Sequence, residues 1–327
     1  MKEHGSDTRY IPWVTRKAFP IVSGTFYVTQ VAVAFVVFKE WWVAAVILSL
    51  FLSHLVHALL IAFHEASHGF LRKHKWANEI DGVLVGILCY IPFTLYRALH
   101  QKHHLHLATE KDLELWPFVL TDCPRWKRCL AAFIELNLGF FFTPFLFLRV
   151  FFLKDSPVKN RKVRRRVWKE ICGCAAFWAG NVAMVAYFDL WPWFFFNFLI
   201  PGLIAGNLQS WRKYIEHVGL SGNTSRSATR SIVANSWLGR LTSLTLLHEP
   251  LHGIHHIKMS LPHYELPQHT DWLNPEDEGD TSPYPNYRSA FVDLFRELRD
   301  PKVGGQWNAE NTTPSRTASV NVSNLST

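Results

Sequence analysis

Three short stretches of this chain carry histidines at spacings that suit metal ligation. RALHQKHHLH (97–106) sets His100, His103 and His104 at i, i+3 and i+4, and HGIHH repeats the spacing at His252, His255 and His256. HEASH puts His64 and His68 one turn apart. On a helix each triplet lies on one face, within reach of a common ion. Neutral imidazole is a common ligand for borderline metals and is available near pH 7. Eight such nitrogens are too many for one tetrahedral zinc and suit two metals that keep open positions. A His-rich surface helix could simply be solvated, but the distant repeat of H-x-x-H-H argues against that.

Other residues belong to the same question. His217, next to Glu216, is a candidate ninth ligand. Glu65, Asp112, Glu216 and His248 could orient ligating imidazoles through the outer ring nitrogen, with Glu110 and Glu114 in the same acidic turn as Asp112. Pro250 interrupts helical geometry between His248 and His252, which keeps His248 out of the ligand set. His54 and His57 are expected to be hydrogen-bonded packing residues, His106 falls off the ligand face, and His263 and His269 are expected at the surface. HEASH also matches the zincin pattern H-E-x-x-H, in which Glu65 would be the general base of a membrane zinc protease. That alternative leaves both triplets without a role. A metal-binding transporter or sensor is the non-enzyme alternative.

The elements that must position these residues are apolar blocks. The chain is 49% hydrophobic and 15% aromatic, and blocks near 20 residues long point to a membrane. Its net charge of +8 comes from basic residues beside those blocks, a positive-inside pattern rather than a nucleic-acid surface. The five cysteines form no C-x-x-C and read as small buried hydrophobes in a reducing compartment. The first 20 residues are polar and mixed in charge, which argues against a cleavable signal peptide.

Residues 21–38 and 41–63 form a predicted hairpin of spans that returns His64 to the side where the chain began. Residues 171–190 and 191–208 form a second. Two further apolar blocks, 80–96 and 130–153, are predicted not to cross. Crossing by the first would separate the histidine clusters, and the second precedes KDSPVKNRKVRRRVWK (154–169), whose eight Lys/Arg favour the cytoplasm. The expected fold is all-α and polytopic: about four transmembrane helices in two hairpins, interfacial helices, and a histidine-bearing cap on the cytoplasmic face. Residues 1–20 form the expected cytoplasmic segment, 21–300 the membrane domain and 301–327 a disordered tail.

On these motifs the chain resembles the membrane fatty acid desaturase and hydroxylase superfamily. HEASH (64–68), HQKHH (100–104) and HGIHH (252–256) are similar to its three histidine boxes. TEKDLE (109–114) and the spacing of Pro262 and Pro267 are similar to its bacterial members. The likeness covers roughly residues 20–270. It implies a di-iron centre, dioxygen as oxidant and a helical membrane fold. Carried over by position, it implies His64, His68, His100, His103, His104, His252, His255 and His256 as ligands, with His217 as a further one. Desaturases, hydroxylases and ketolases share the boxes, and many acyl desaturases carry Asp where this chain has Glu65. Desaturation of a fatty acyl chain or lipid is the expected reaction, with hydroxylation or ketolation of a lipid or carotenoid as the alternative.

The chemistry agrees with the residues. Removing hydrogen from an unactivated C–H bond needs a metal-centred oxidant, which no side chain supplies, and imidazole-bound iron can activate dioxygen. The protein must hold the metals, aim one carbon at them and exclude water. The chain has no Rossmann glycine pattern, no iron–sulfur cysteine set and no haem motif, so a separate ferredoxin or cytochrome-type donor with its reductase is expected. The basic stretch 154–169 is read first as a topology signal, and second as a docking site for an acidic donor or anionic headgroups.

Overall fold

The computed structural model describes residues 10–308. Among them the fold is helical, with a single isolated bridge between Ile232 and Tyr284 and no strand. A short α1 (Trp13–Arg16) leads into α2 (Ala18–Phe38), which turns at Lys39-Glu40 into α3 (Trp42–His68). At 1.5 Å per residue α3 is about 40 Å long, more than the ~30 Å hydrocarbon core requires. The pair packs through Val22, Phe26 and Val33 on α2 and Ala45, Leu52 and Leu59 on α3. Tyr27, Val28, Val31 and Phe35 stay exposed on the outer face of α2, as expected of a surface that meets lipid.

Next come α4 (Lys75–Leu88) and α5 (Phe93–Leu105), which meet at 101°. Gly82 and Gly86 make this elbow possible. A Cβ at Gly82 would overlap the Phe93 ring, and one at Gly86 would come within 2.6 Å of the Ile91 carbonyl oxygen. The block 80–96 is therefore sharply bent, a geometry shared by broken spans and re-entrant elements.

The long α6 (Arg125–Phe152) is bent at Leu138 and carries Pro144. Length and composition would let it cross a membrane. Glu135 and Leu146, on opposite sides of the bend, line the same cavity. Arg128 lies over the Trp307 ring, which donates to the Phe118 carbonyl, and Arg149 lies over Trp116.

α7 (Arg161–Tyr187) is capped by Asn160, whose side chain accepts from Lys162 N–H. Beyond the turn, α8 (Trp191–Phe194) passes through a π-turn into α9 (Ile200–His217), so the expected span 191–208 is the apolar part of one helical run. By length and hydropathy alone, α2, α3, α6 and α7 are the four candidate spans. This set differs from the expected one, because α6 contains a long apolar stretch after its basic first turn while α9 ends in a charged turn. Short α10 (Trp237–Thr245), α11 (His252–Ile257) and α12 (Tyr287–Glu297) complete the described residues.

Residues 301–308, expected to belong to the disordered tail, are ordered against the rest of the chain. Val303 N–H donates to the Phe118 carbonyl and Trp307 is buried, so residues 301–308 pack against the cap. Residues 309–327 lie outside the described residues.

Candidate metal centre

The ends of four helices bring the histidines together. α3 stops directly after His68 because Gly69, at φ +82°, closes it with a Schellman pair: Gly69 N–H to Ala66 O at 3.0 Å and Phe70 N–H to Glu65 O at 3.4 Å. The α4–α5 elbow turns α5 so that His100 lies 4.5 Å from His64, ring centroid to ring centroid. His217 is the last residue of α9. With six residues, α11 is too short to hold its shape alone. Leu251, Ile254, Leu261, Leu266 and Leu273 pack beneath it, and Gly253 N–H donates to Ser231 Oγ at 2.7 Å.

All nine candidate histidines meet, in two sets. One nitrogen each of His64, His68, His100, His104 and His255 lies within 4.8 Å of all the others, and the same holds for His103, His217 and His256. His252 joins the second set, its Nε2 3.0 Å from the Nε2 atoms of both His217 and His256. Each triplet is therefore divided, where the spacing had predicted one ion per triplet. His100 and His104 face one set and His103 the other; His252 and His256 face the second set and His255 the first. The reason is helical geometry. At 3.6 residues per turn, i+4 falls about 40° to one side of i and i+3 about 60° to the other. A site pressed against the helix tip can separate them.

Oxygen acceptors beside the outer nitrogens of several rings assign the proton to Nδ1 in those rings. His103 Nδ1 donates to Asp112 Oδ2 at 2.8 Å, His100 Nδ1 to Glu114 Oε2 at 3.3 Å, His252 Nδ1 to Glu249 Oε1 at 3.1 Å and His217 Nδ1 to the Ala228 carbonyl at 3.1 Å. His64 Nδ1 is 3.2 Å from Glu249 Oε2. Their Nε2 lone pairs consequently point at one another. His104 Nε2 lies 3.0 Å from His100 Nε2 and 3.1 Å from His255 Nε2, and the buried Nε2 atoms of His64 and His68 have no partner. Lone pairs that converge without a proton between them repel unless a cation lies among them. The donor set fits borderline metals such as iron.

Burial holds His252 down to about 4, against the opposing pull of Glu249, and keeps His255 and His256 well below the usual imidazole range. All three are neutral, ligand-ready rings at pH 7.

Glu249 was missed in the sequence, although HEPLHGIHH places it three residues before His252. Burial alone would raise its carboxyl. The Arg212 guanidinium and the hydrogen bonds from His252 and His64 outweigh burial and hold it well below the carboxylate range. Arg212 spans Glu249 and Glu216, the latter at 2.7 Å. Glu216 also comes within 3.6 Å of His252 Nε2.

Glu65 is buried beside His64 and Glu249, and one of its carboxylate oxygens has no partner. The outer nitrogen of His64 goes to Glu249 rather than to Glu65. His248, at φ +59°, bonds Ser243 Oγ at 3.3 Å and stacks on His263, outside both sets. His263 is buried, not at the surface as expected, because it packs inward against His248. His54 bonds Thr245 Oγ1 at 2.9 Å and His57 is buried, both as packing residues of α3.

Beside the second set lies a polar chamber lined by His103, His217, His252, Glu114 and Lys213. Through Tyr96, Thr143 and Gln209 it adjoins an apolar crevice between α3, α6 and α9, walled by Val56, Leu60, Phe63 and Phe140. Tyr96 stacks on His100 at 5.4 Å, which puts the crevice mouth against the first set as well.

A family model described as fatty acid desaturase matches residues 40–288. Among curated proteins, the sn-1 acyl-lipid omega-3 desaturase (ferredoxin) of Nostoc sp. (strain 36) is 22% identical over 67% of this chain and 64% of its own length. A fatty acid desaturase of Bacillus subtilis (strain 168) is 24% identical over 64% of this chain and 62% of its own. The chain thus spans slightly under two thirds of the length of these relatives. With a match across most of its length, this chain belongs to the fatty acid desaturase family.

Proposed function

We propose that this chain is a membrane oxidoreductase that desaturates a fatty acyl chain or lipid at two iron ions held by the nine histidines. The observation that carries the reading is the convergence of nine Nε2-directed imidazoles at the mouth of an apolar crevice. Bound there, iron would supply the activation of dioxygen and the removal of hydrogen from two neighbouring carbons.

The chain's own residues do the rest. Val56, Leu60, Phe63 and Phe140 offer hydrocarbon a dry, elongated wall, and Tyr96 fixes how far along it the chain meets the histidines. Asp112, Glu114 and Glu249 hold the ring orientations. Arg212 neutralises the carboxylates that burial would otherwise penalise. The site lies on the cytoplasmic face, next to the basic stretch 154–169, and electrons come from a separate donor. The ferredoxin in the name of the Nostoc relative makes a ferredoxin the first donor to try.

Metal analysis of detergent-purified protein, together with lipid profiling of a host expressing it, tests the reading. About two irons per chain and a new double bond in the host lipids are expected. His103→Ala and His255→Ala should each abolish turnover as fully as His64→Ala. One zinc per chain that survives His103→Ala, with activity lost mainly in Glu65→Gln, would instead establish a protease.

A further inference from the structure

The outer face of α7 carries chemistry that the desaturase site does not use. Only 6% of its most apolar window is buried. Between it and the α4–α5 elbow runs a groove walled by Val83, Ile87, Ile91 and Phe93, with Arg166 and Lys169 at its rim. It offers about 280 Å³ of open space, far more than the ~10–15 Å³ that admits one water. Gly173 leaves the α7 wall bare, since a Cβ there would meet nothing within 4 Å.

The two walls change character at the same level. Arg166 pairs with Glu79 near the polar start of α4, while further along both Cys174 and Trp178 reach the Ile87 carbonyl. α7 is basic from Arg161 to Lys169 and apolar after Ile171, and α4 turns apolar after Asp81.

The rim also holds cations to spare. Arg166 is taken up by Glu79 and Glu170, and Glu170 also accepts the Thr94 N–H at 2.9 Å and hydroxyl at 2.6 Å. Lys169 forms no ion pair among the described residues. Nor does Arg165, four residues earlier on the same side of the helix.

We propose that this groove binds an anionic phospholipid, its acyl chain along Ile87, Ile91 and Gly173 and its phosphate on Lys169 and Arg165. Charge and apolarity arranged in this order match a phospholipid at the membrane interface, where each Lys or Arg adds roughly 1 kcal/mol of attraction to anionic lipid. The elbow behind the groove carries α5 and hence His100, His103 and His104, and Thr94–Glu170 ties the two walls together. A lipid seated there braces the helix that bears the second histidine cluster.

Thermal melts of the detergent-purified protein, titrated with phosphatidylglycerol, phosphatidylcholine of the same acyl chains, or inorganic phosphate, provide the test. Phosphatidylglycerol should raise Tm clearly more than phosphatidylcholine, and phosphate should have no effect. Lys169→Gln should weaken the phosphatidylglycerol midpoint about fivefold. Gly173→Leu should remove the response to lipid while leaving the lipid-free Tm near wild type, because its side chain enters open space. Equal responses to both lipids, a response to phosphate alone, or a phosphatidylglycerol response unchanged in either variant would overturn the proposal. Should Gly173→Leu fail to fold, the exposed Lys169→Gln decides alone.

Discussion

At the scale of residues, the site depends as much on what holds the outer ring nitrogens as on the rings themselves. Glu249 serves two histidines from different sets, His64 and His252. Removing an acceptor of this kind commonly costs 10–100-fold in metal affinity. Glu249→Gln should therefore lower retained iron more than Glu65→Gln, whose carboxylate bonds no ligand imidazole; metal content after dialysis against a chelator measures both.

The neutral rings also fix the sign of a pH effect. His252 titrates near 4 when folded and near 6.5 when unfolded, so only the unfolded chain takes up this proton between those values. Its contribution to stability is complete above about 6.5 and declines as pH falls toward 4, and His255 and His256 act in the same direction. Melts of metal-free protein should show Tm falling steadily from pH 7 to pH 5. A flat profile would mean the rings are already solvated in the folded state.

At the scale of elements, the elbow between α4 and α5 decides whether two of the three histidine clusters can meet. Its sharpness rests on the Phe93 ring lying directly on Gly82. Gly82→Leu should open the bend, with the overpacking cost of about 1–3 kcal/mol typical of a filled core. Because the displacement acts on α5, the variant should lose metal as well as Tm. A drop in Tm with full metal content would show that the elbow is only structural. α11 makes the complementary point: its six residues are held by the leucines around them, so its histidines are positioned from outside the helix.

At the scale of the whole molecule, the proposed topology requires that two bent elements leave the site on one side. The α4–α5 pair bends by 101°, and α6 is kinked at Leu138. Single cysteines at Lys111, Lys159 and Thr224, in a background without native cysteines, should all react with an impermeant maleimide from the same side of the membrane. One at Lys39 should react from the other. If position 159 is labelled together with position 39, α6 crosses and the topology proposed above is wrong.

The sequence by itself determined the helical membrane frame and which histidines are candidates to bind metal. The spacing of eight histidines, the apolar blocks and the basic stretch 154–169 are local features, and they announced a candidate metal site on that frame. His217 and Asp112 were legible as well, because each sits beside a histidine cluster or a helix end. Tertiary structure alone decided how the ligands divide. His103 and His104 are neighbours in the chain, yet His103 meets His217 and His256 while His104 meets His64, His68 and His255. The role of Glu249, the burial of His263 and the packing of residues 301–308 were equally hidden. A carboxylate, an imidazole and a short polar segment look the same in sequence whether solvent or protein surrounds them. Only contacts between residues far apart in the chain tell the cases apart.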